Sequence, residues 1–537
     1  MRLGQCRVIS LSAALGLAVL PVSCTREERG APVISAFELA ELTIPELQER
    51  MASGQYTSRQ LVELYLRRIE EIDRMGPTLR SIIEVNPDAL RIAEELDAER
   101  SRRTTRGPLH GVPIVIKDNI DTGDRMMTTA GSLALEGATA PRDAFVVERL
   151  RAAGAVILAK TNLSEWANIR SMKSSSGWSA RGGQVKNPYA LDRSPCGSSS
   201  GSGVAVSANL AAVGIGTETN GSIVCPASAN GIVGIKPTVG LISRTGIVPI
   251  SHTQDTAGPM ARTVIDAAIL LTAMTGRDPS DPATLQAEGH TQDYAVGVNT
   301  DALKGARIGV SRKRHFGYSP EADRLVESAI QTMKSRGAVI VDPVQILTVD
   351  QIDQCGLEVL LYEFKADLNA YLANRGPRVD VRTLADVIAF NQREKAREMP
   401  FFGQDLFEQA EKKGPLTSNE YRTHLDNCHR WAGPEGIDAV IRKHQLDALV
   451  APTLSPPWPI DLVNGDHFLG GSSSAAAVAG YPHITVPVGR AYGLPVGMSF
   501  FGAAWSEGTL IRLAYAFEQA TRHRRPPTFL PTIQRPF

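Results

Sequence analysis

VPIVIK (residues 112–117) and AVILAK (155–160) are short apolar runs rich in β-branched residues, and the segment between them carries a helix signal. Asp143 opens that helix, Val146, Val147 and Leu150 line one of its faces, and Gly154 ends it. Short apolar runs bounded by turn residues read as strands buried on both faces. Strand, helix, strand in that order predicts an α/β fold with a mixed central β-sheet covered by helices on both faces.

Upstream, Thr57-Ser58-Arg59-Gln60 forms a capping box, followed by Leu61, Tyr65, Ile69 and Ile72 on one helical face. Asn86-Pro87 begins a second helix that runs to about Arg103. Downstream, GVAVSANLAA (203–212) reads as a helix of small residues and IVGI (232–235) as a short apolar run. Residues 315–430 are helix-like and highly charged, and are expected to cap the sheet. LDALVAP (446–452), HITVPV (483–488) and LPVGMSFF (494–501) return to strand character. With no repeat and no linker after residue 34, residues 35–537 are expected to form one large domain.

Composition narrows the function. Of 537 residues, 57 are Lys or Arg and 57 are Asp or Glu, so the formal net charge is zero. That balance argues against nucleic acid as the partner, because phosphate binding depends on clustered positive charge. A hydrophobic share of 43% with 21% charged residues fits a large packed core.

The N-terminus reads MRLGQCR, then VISLSAALGLAVL, then PVSC. A basic start, a short apolar run and small residues describe a secretory signal peptide over residues 1–24, followed by a polar linker at 25–34. Cys24 after Leu20-Pro21-Val22-Ser23 also resembles a bacterial lipoprotein cleavage site, which would give membrane attachment through lipidated Cys24. The expected location is therefore exported: periplasmic, or lipid-anchored at the cell envelope. The remaining cysteines, Cys196, Cys225, Cys355 and Cys428, lack C-x-x-C spacing, so no zinc site is expected. They read as buried free thiols, with pairing of some left open for an exported chain.

Three loops stand out: VIKDNI around Lys117, CGSSSGSG at 196–203 and TETNGSI at 217–223. The second lacks the Gly-Lys-Ser/Thr end of a phosphate loop. Gly197-Ser198-Ser199-Ser200-Gly201 fits a G-x-S-x-G elbow, which would make Ser199 a nucleophile served by His429, His444 or His483. The rival reading uses all three loops. A serine is a weak nucleophile until a base takes its proton, and a lysine can be that base only if its pKa falls from ~10.4 towards ~7–8. Lys117, at the end of an apolar strand, is placed for that desolvation.

Taken together, Lys117-Asp118-Asn119, Gly197-Ser198-Ser199-Ser200-Gly201-Ser202 and Gly216-Thr217-Glu218-Thr219-Asn220-Gly221-Ser222-Ile223 resemble the amidase signature family of serine hydrolases. The two serines lie 24 positions apart, as in that family. GPLHGVPIVIKDNID, AKTNLSEWAN, GIVGIKPTVGLISRTGIVPIS, DTAGPMARTV and AGYPHITVPVG extend the likeness over residues 37 to 525. The resemblance implies a Ser–cis-Ser–Lys triad with Ser222 as nucleophile, Ser198 as cis-serine and Lys117 as base, acting through an acyl-enzyme. It implies an oxyanion hole from the backbone N–H groups of Thr219, Asn220, Gly221 and Ser222, and a supporting hydrogen bond from Ser199 near the lysine. It implies no metal and no cofactor.

Family loops often read G-G-S-I-R, whereas Asn220 precedes Gly221 here and Val224 stands in place of the arginine, which puts that arginine's ion pair in doubt. Within the family, NLSEWAN, GWSARGGQ, SPCGSSSGS and GTETNGSIVCP resemble the bacterial peptide amidases, and Cys196 and Cys225 fall inside that text. The expected substrates are C-terminal peptide amides, hydrolysed to release ammonia. A general aliphatic or aryl amidase, or the transamidating subunit of a glutamyl-tRNA(Gln) amidotransferase, are the alternatives. Trp166, Trp178, Trp458 and Trp505 are candidates for an apolar substrate groove or for the core.

Overall fold

The computed structural model describes residues 36–533 apart from Pro377, so the leader (1–24) and linker (25–34) lie outside the described residues. The strands are β1 (Ile82–Val85), β2 (Pro113–Lys117), β3 (Val156–Thr161), β4 (Trp178–Ser179), β5 (Gly183–Gln184), β6 (Val213–Glu218) and β7 (Val233–Lys236). They continue with β8 (Thr256–Ala261), β9 (Arg307–Ser311), β10 (Val339–Val344), β11 (Ala448–Pro452), β12 (His483–Ala491) and β13 (Leu494–Phe501). Apart from the β4–β5 pair, these strands form one 11-stranded sheet in the order β1-β3-β2-β6-β8-β7-β12-β13-β11-β9-β10. It is mixed: β3, β2 and β6 run parallel, as do β11, β9 and β10, while the pairings from β6 through β8, β7, β12 and β13 to β11 are antiparallel.

Every residue of β2, β3 and β6 is buried. Successive strand residues point to opposite faces, so both faces of this half of the sheet are covered, as uninterrupted apolar runs require. The capping box holds: Thr57 Oγ1 accepts from Gln60 N, Gln60 Oε1 accepts from Thr57 N, and the helix Ser58–Arg68 buries Leu61 and Tyr65. The next helix, Ala89–Ser101, begins later than Asn86-Pro87, because Asn86 Oδ1 accepts from Asp88 N and makes a turn there instead. The helix between β2 and β3 spans Phe145–Ala152; Asp143 precedes it and binds Gly123 N and Arg151.

Two expectations shift. The small-residue helix is Ser200–Ser207 rather than 203–212, because Ser200 and Ser202 hydroxyls donate back to the carbonyls of Cys196 and Ile215 while Asn209 turns to φ +59°. The charged region 315–430 is mostly helical, but β10 lies within it. Its longest helix, Val349–Ala373, packs Val349, Ile352 and Val359 against Val344, Leu449 and Phe501 of the sheet. No helix among the described residues is long and apolar enough to cross a membrane.

Candidate active site

Lys117 ends β2 and Thr217 lies near the end of the adjacent parallel strand β6, so the register brings both to the same edge of the sheet. In open α/β sheets the loops beyond the carboxyl ends of parallel strands are where ligands bind. Lys117 is fully buried, and its Nζ donates to Ser198 Oγ at 2.7 Å, to Thr217 Oγ1 at 2.8 Å and to Thr217 O at 3.3 Å. Burial brings its pKa down to about 7, against the opposing pull of the Asp255 and Glu218 carboxylates. Near neutral pH a substantial fraction of Lys117 is therefore an uncharged amine.

Ser198 follows a cis peptide bond from Gly197, and its carbonyl accepts from Ser164 N at 3.1 Å. A Cβ on Gly197 would fall 2.2 Å from Ser164 Oγ, so this close approach excludes any side chain. Ser199 joins the loops: its Oγ donates to Thr217 O at 3.1 Å and accepts from Thr217 N at 3.2 Å, and its own N–H donates to Ser222 O at 3.1 Å. It thus supports the residue that holds Lys117. Ser222 is partly exposed while Ser198 and Lys117 are wholly buried, so of these three Ser222 is the one a ligand can reach.

The loop from Thr219 to Ser222 differs from expectation at one position. Gly221, at φ +83°, donates its N–H to Glu218 Oε1 at 2.8 Å, so that donor is already committed and is withdrawn from the expected oxyanion set. Ile223 N and Val224 N donate to Glu218 Oε2 at 2.7 and 3.0 Å. Glu218 folds back under its own loop because three backbone donors at the start of the helix Val224–Ala229 converge on it. Backbone N–H groups, that of Val224 among them, thus satisfy the buried carboxylate. The amides of Thr219, Asn220 and Ser222 have no protein acceptor among the described residues.

Sequence reasoning missed three supporting side chains. Asn119 Nδ2 donates to Thr217 Oγ1 at 3.0 Å. Thr217 Oγ1 itself receives Lys117. Asp255 accepts from Thr219 Oγ1 at 2.5 Å and from the amides of Ile250 and Ser251, and burial raises its pKa to about 6. Asn119 and Asp255 stood inside the quoted KDN and DTAGPMARTV stretches, but nothing in their spacing marked them.

The elbow reading fails on geometry. Ser199 Oγ is occupied by Thr217 on both sides, and no histidine among the described residues joins it. His483 lies buried under β12 against Ser499 Oγ at 2.5 Å, its pKa lowered to about 3 by burial. His429 is exposed on the helix Asn419–Ala432, and His444 ends the helix Asp438–His444.

The free-thiol expectation is also corrected. Cys196 is disulfide-bonded to Cys225 with Cα atoms 5.9 Å apart, and Cys355 to Cys428 with Cα atoms 5.7 Å apart. The cause is tertiary: helices Val349–Ala373 and Asn419–Ala432 pack together, and the two serine loops meet, which residue spacing cannot reveal.

Two cavities flank the site. One of about 960 Å³ is bounded by Gly197, Asn220, Gly221 and both cysteines of the first disulfide, and extends past Trp458 and Phe468. The other, of about 800 Å³, touches Asn119, Thr217 and Thr219. Of the candidate tryptophans, Trp458 lines the larger of these two cavities; Trp166 and Trp178 pack edge-on against Phe407 and Phe402 in the interior, and Trp505 stacks on His290.

A buried lysine, a serine after a cis peptide bond and a partly exposed serine are thus linked through Thr217 and Ser199. The Amidase family matches residues 60–511. The chain belongs to the amidase family. A crystal structure of a peptide amidase in complex with the competitive inhibitor chymostatin superposes with a TM-score of 0.89 at 53% identity, covering 92% of this chain and all of that one (100%). An Arabidopsis thaliana protein named "Probable amidase" is 45% identical over 92% of this chain and 93% of its own length. A glutamyl-tRNA(Gln) amidotransferase subunit from Halorhodospira halophila is 33% identical over 90% of this chain and 98% of its own. As an amidase, this enzyme hydrolyses amide bonds, and the large mixed sheet is the amidase fold.

Proposed function

We propose that this amidase removes the C-terminal amide of short peptides as ammonia, with Ser222 as nucleophile, Ser198 as proton relay and Lys117 as base. The observation that carries the reading is the cavity of about 960 Å³ beside Gly197, Asn220 and Gly221, which has room for a peptide beyond a simple amide. The likeness to a peptide amidase that binds chymostatin supports it.

In this mechanism neutral Lys117 draws the Ser198 proton, Ser198 takes the Ser222 proton, and Ser222 Oγ attacks the amide carbon. The amides of Thr219, Asn220 and Ser222 receive the developing oxyanion, a role worth ~3–4 kcal/mol per donor. The relay returns the proton to nitrogen, the C–N bond breaks, and ammonia leaves an acyl-enzyme. Water, deprotonated by the same relay, attacks the ester and releases the carboxylic acid and free Ser222.

The test is ammonia release from a dipeptide amide beside acetamide and a glutamine-dependent transamidation assay, for wild type and Ser222→Ala. Ammonia from the dipeptide amide alone, lost in the variant, supports the reading. Turnover of acetamide in preference moves the substrate to small amides, and glutamine-dependent transfer moves it to the transamidating class.

The enzyme is further proposed to work outside the cytoplasm, periplasmic or held at the envelope through lipidated Cys24. The leader-like residues 1–24 and the two disulfides support this, since such bonds persist in oxidising compartments. Cell fractionation of wild type and Cys24→Ala decides it: cytoplasmic retention of both refutes export, and release of the variant alone supports the lipid anchor.

A further inference from the structure

We propose that the larger cavity recognises a cationic group on the acyl side of the scissile amide, and that Asp466 is the residue that binds it. This rests on the peptide-amide reading and adds the charge of the preferred substrate.

Among the described residues lining that cavity, Asp466 is the one carboxylate. It is held by three donors: Ser176 N at 3.1 Å, Ser176 Oγ at 2.5 Å and Trp458 Nε1 at 3.0 Å. All three are neutral, so they fix the carboxylate's position and leave its charge without a counter-ion among them. Burial pushes the Asp466 carboxyl up and these hydrogen bonds pull it down, with no cation contributing. Among the described lining residues the one arginine or lysine, Arg314, is itself engaged by Asp350 at 3.1 Å. A partly buried carboxylate without a cation is costly unless something supplies one.

The walls suit an ammonium. The Trp458 indole N–H points to Asp466 while its ring meets Phe468 edge-on, with centroids 5.9 Å apart at 83°. Phe468 is 55% exposed. Aromatic faces beside a carboxylate attract alkylammonium groups through the ring quadrupole as well as through charge. The group also lies within reach of the chemistry. Ser176 Oγ, bonded to Asp466, would sit 3.3 Å from a Cβ on Gly197, the residue next to Ser198. The α-amino group of a dipeptide amide and a basic side chain are two sources of one such cation.

The test compares kcat/KM for ammonia release from glycyl-phenylalaninamide, its N-acetyl form and N-acetyl-lysyl-phenylalaninamide, near neutral pH, for wild type and Asp466→Asn. Wild type is expected to prefer the free amine over its N-acetyl form by about tenfold, and the ratio to fall towards one in the variant. Recovery of the preference by the lysyl substrate assigns the cation to a side chain; preference for the free amine alone assigns it to the N-terminus. The same ratio in both proteins overturns the proposal. Calorimetric titration with n-butylammonium and with n-butanol keeps the question open to decision if the variant is inactive: wild type should bind the ammonium and not the alcohol. Equal binding, or none, overturns it. Ammonia from none of the peptide amides with wild type would instead sink the peptide-amide reading, and the butylammonium titration would still decide this one.

Discussion

The N–H of Ser199 donates to the carbonyl of Ser222 at 3.1 Å, so the two serine loops touch through their main chains. Ser199 also binds both backbone groups of Thr217, and Thr217 holds Lys117. The proposed base, relay and nucleophile thus share one hydrogen-bonded frame. Such groups act as a unit, and losing any one is expected to forfeit most of what all three supply.

Lys117→Ala and Ser222→Ala are accordingly expected to lower kcat by at least roughly 10³-fold, with the double variant little worse than either. His429→Ala should retain full turnover. Steady-state ammonia release measures all four. Full activity in Lys117→Ala would remove the lysine from the mechanism and revive a role for Ser199.

The pH profile follows from burial of Lys117. In the proposed mechanism the working form is the neutral amine, and its pKa of about 7 sets the rise: kcat/KM should climb about tenfold per pH unit below that value and level off above it. The stability sign runs the same way. The folded chain releases this proton near 7 whereas the unfolded chain holds it to about 10.5, so this group's contribution to stability increases with pH between those values. An activity limb centred well above 9, with unfolding monitored in parallel, would contradict a depressed lysine.

The two disulfides should separate by function. Their residues lie 29 and 73 positions apart, which on chain-entropy grounds is worth roughly 3–5 kcal/mol of stability each. Cys196 precedes Gly197-Ser198 directly and Cys225 follows Ser222 within the same loop and helix, so Cys196→Ser with Cys225→Ser should lower kcat as well as Tm. Cys355→Ser with Cys428→Ser should lower Tm alone. Equal kcat in both double variants would make the first bond purely structural.

Glu218→Gln tests the folded-back carboxylate. An amide presents one acceptor oxygen and an N–H₂ group, so at least one of Gly221, Ile223 and Val224 would lose its acceptor or face a donor. An unsatisfied buried donor costs ~1–3 kcal/mol, and the expected result is a kcat lower by about 10- to 100-fold with KM nearly unchanged. Unaltered kcat would show that the loop keeps its shape without the charge.

Legibility tracked locality. β2, β3, β11, β12 and β13 could be read because apolar residues cluster within a few positions. β6 and β8 could not: VGIGTE carries two glycines and TAGPMA a glycine and Pro259, residues that argue against a strand when met alone. Both persist because buried neighbours pair with them on each side. Within the site, Lys117, Ser198, Ser199 and Ser222 could be singled out because the family resemblance names them, and the structure brings their loops together. The commitment of Gly221 N–H to Glu218, the contact of Asp255 with Thr219 and both disulfides depend on which loops meet in space.

The strand order bears on how the chain can be built. β7 takes β8 on one side and β12 on the other, yet residues 237–482 separate β7 from β12 in sequence. The half of the sheet that bears Lys117 and Ser222 therefore ends in an unpaired apolar edge until residues 483–501 are available to cover it. An unfinished chain cut anywhere before them would carry its reactive loops on a sheet with an open side, a surface prone to pair with another copy of itself. Strands β12 and β13 thus close, late in the chain, the sheet edge that its early strands leave open.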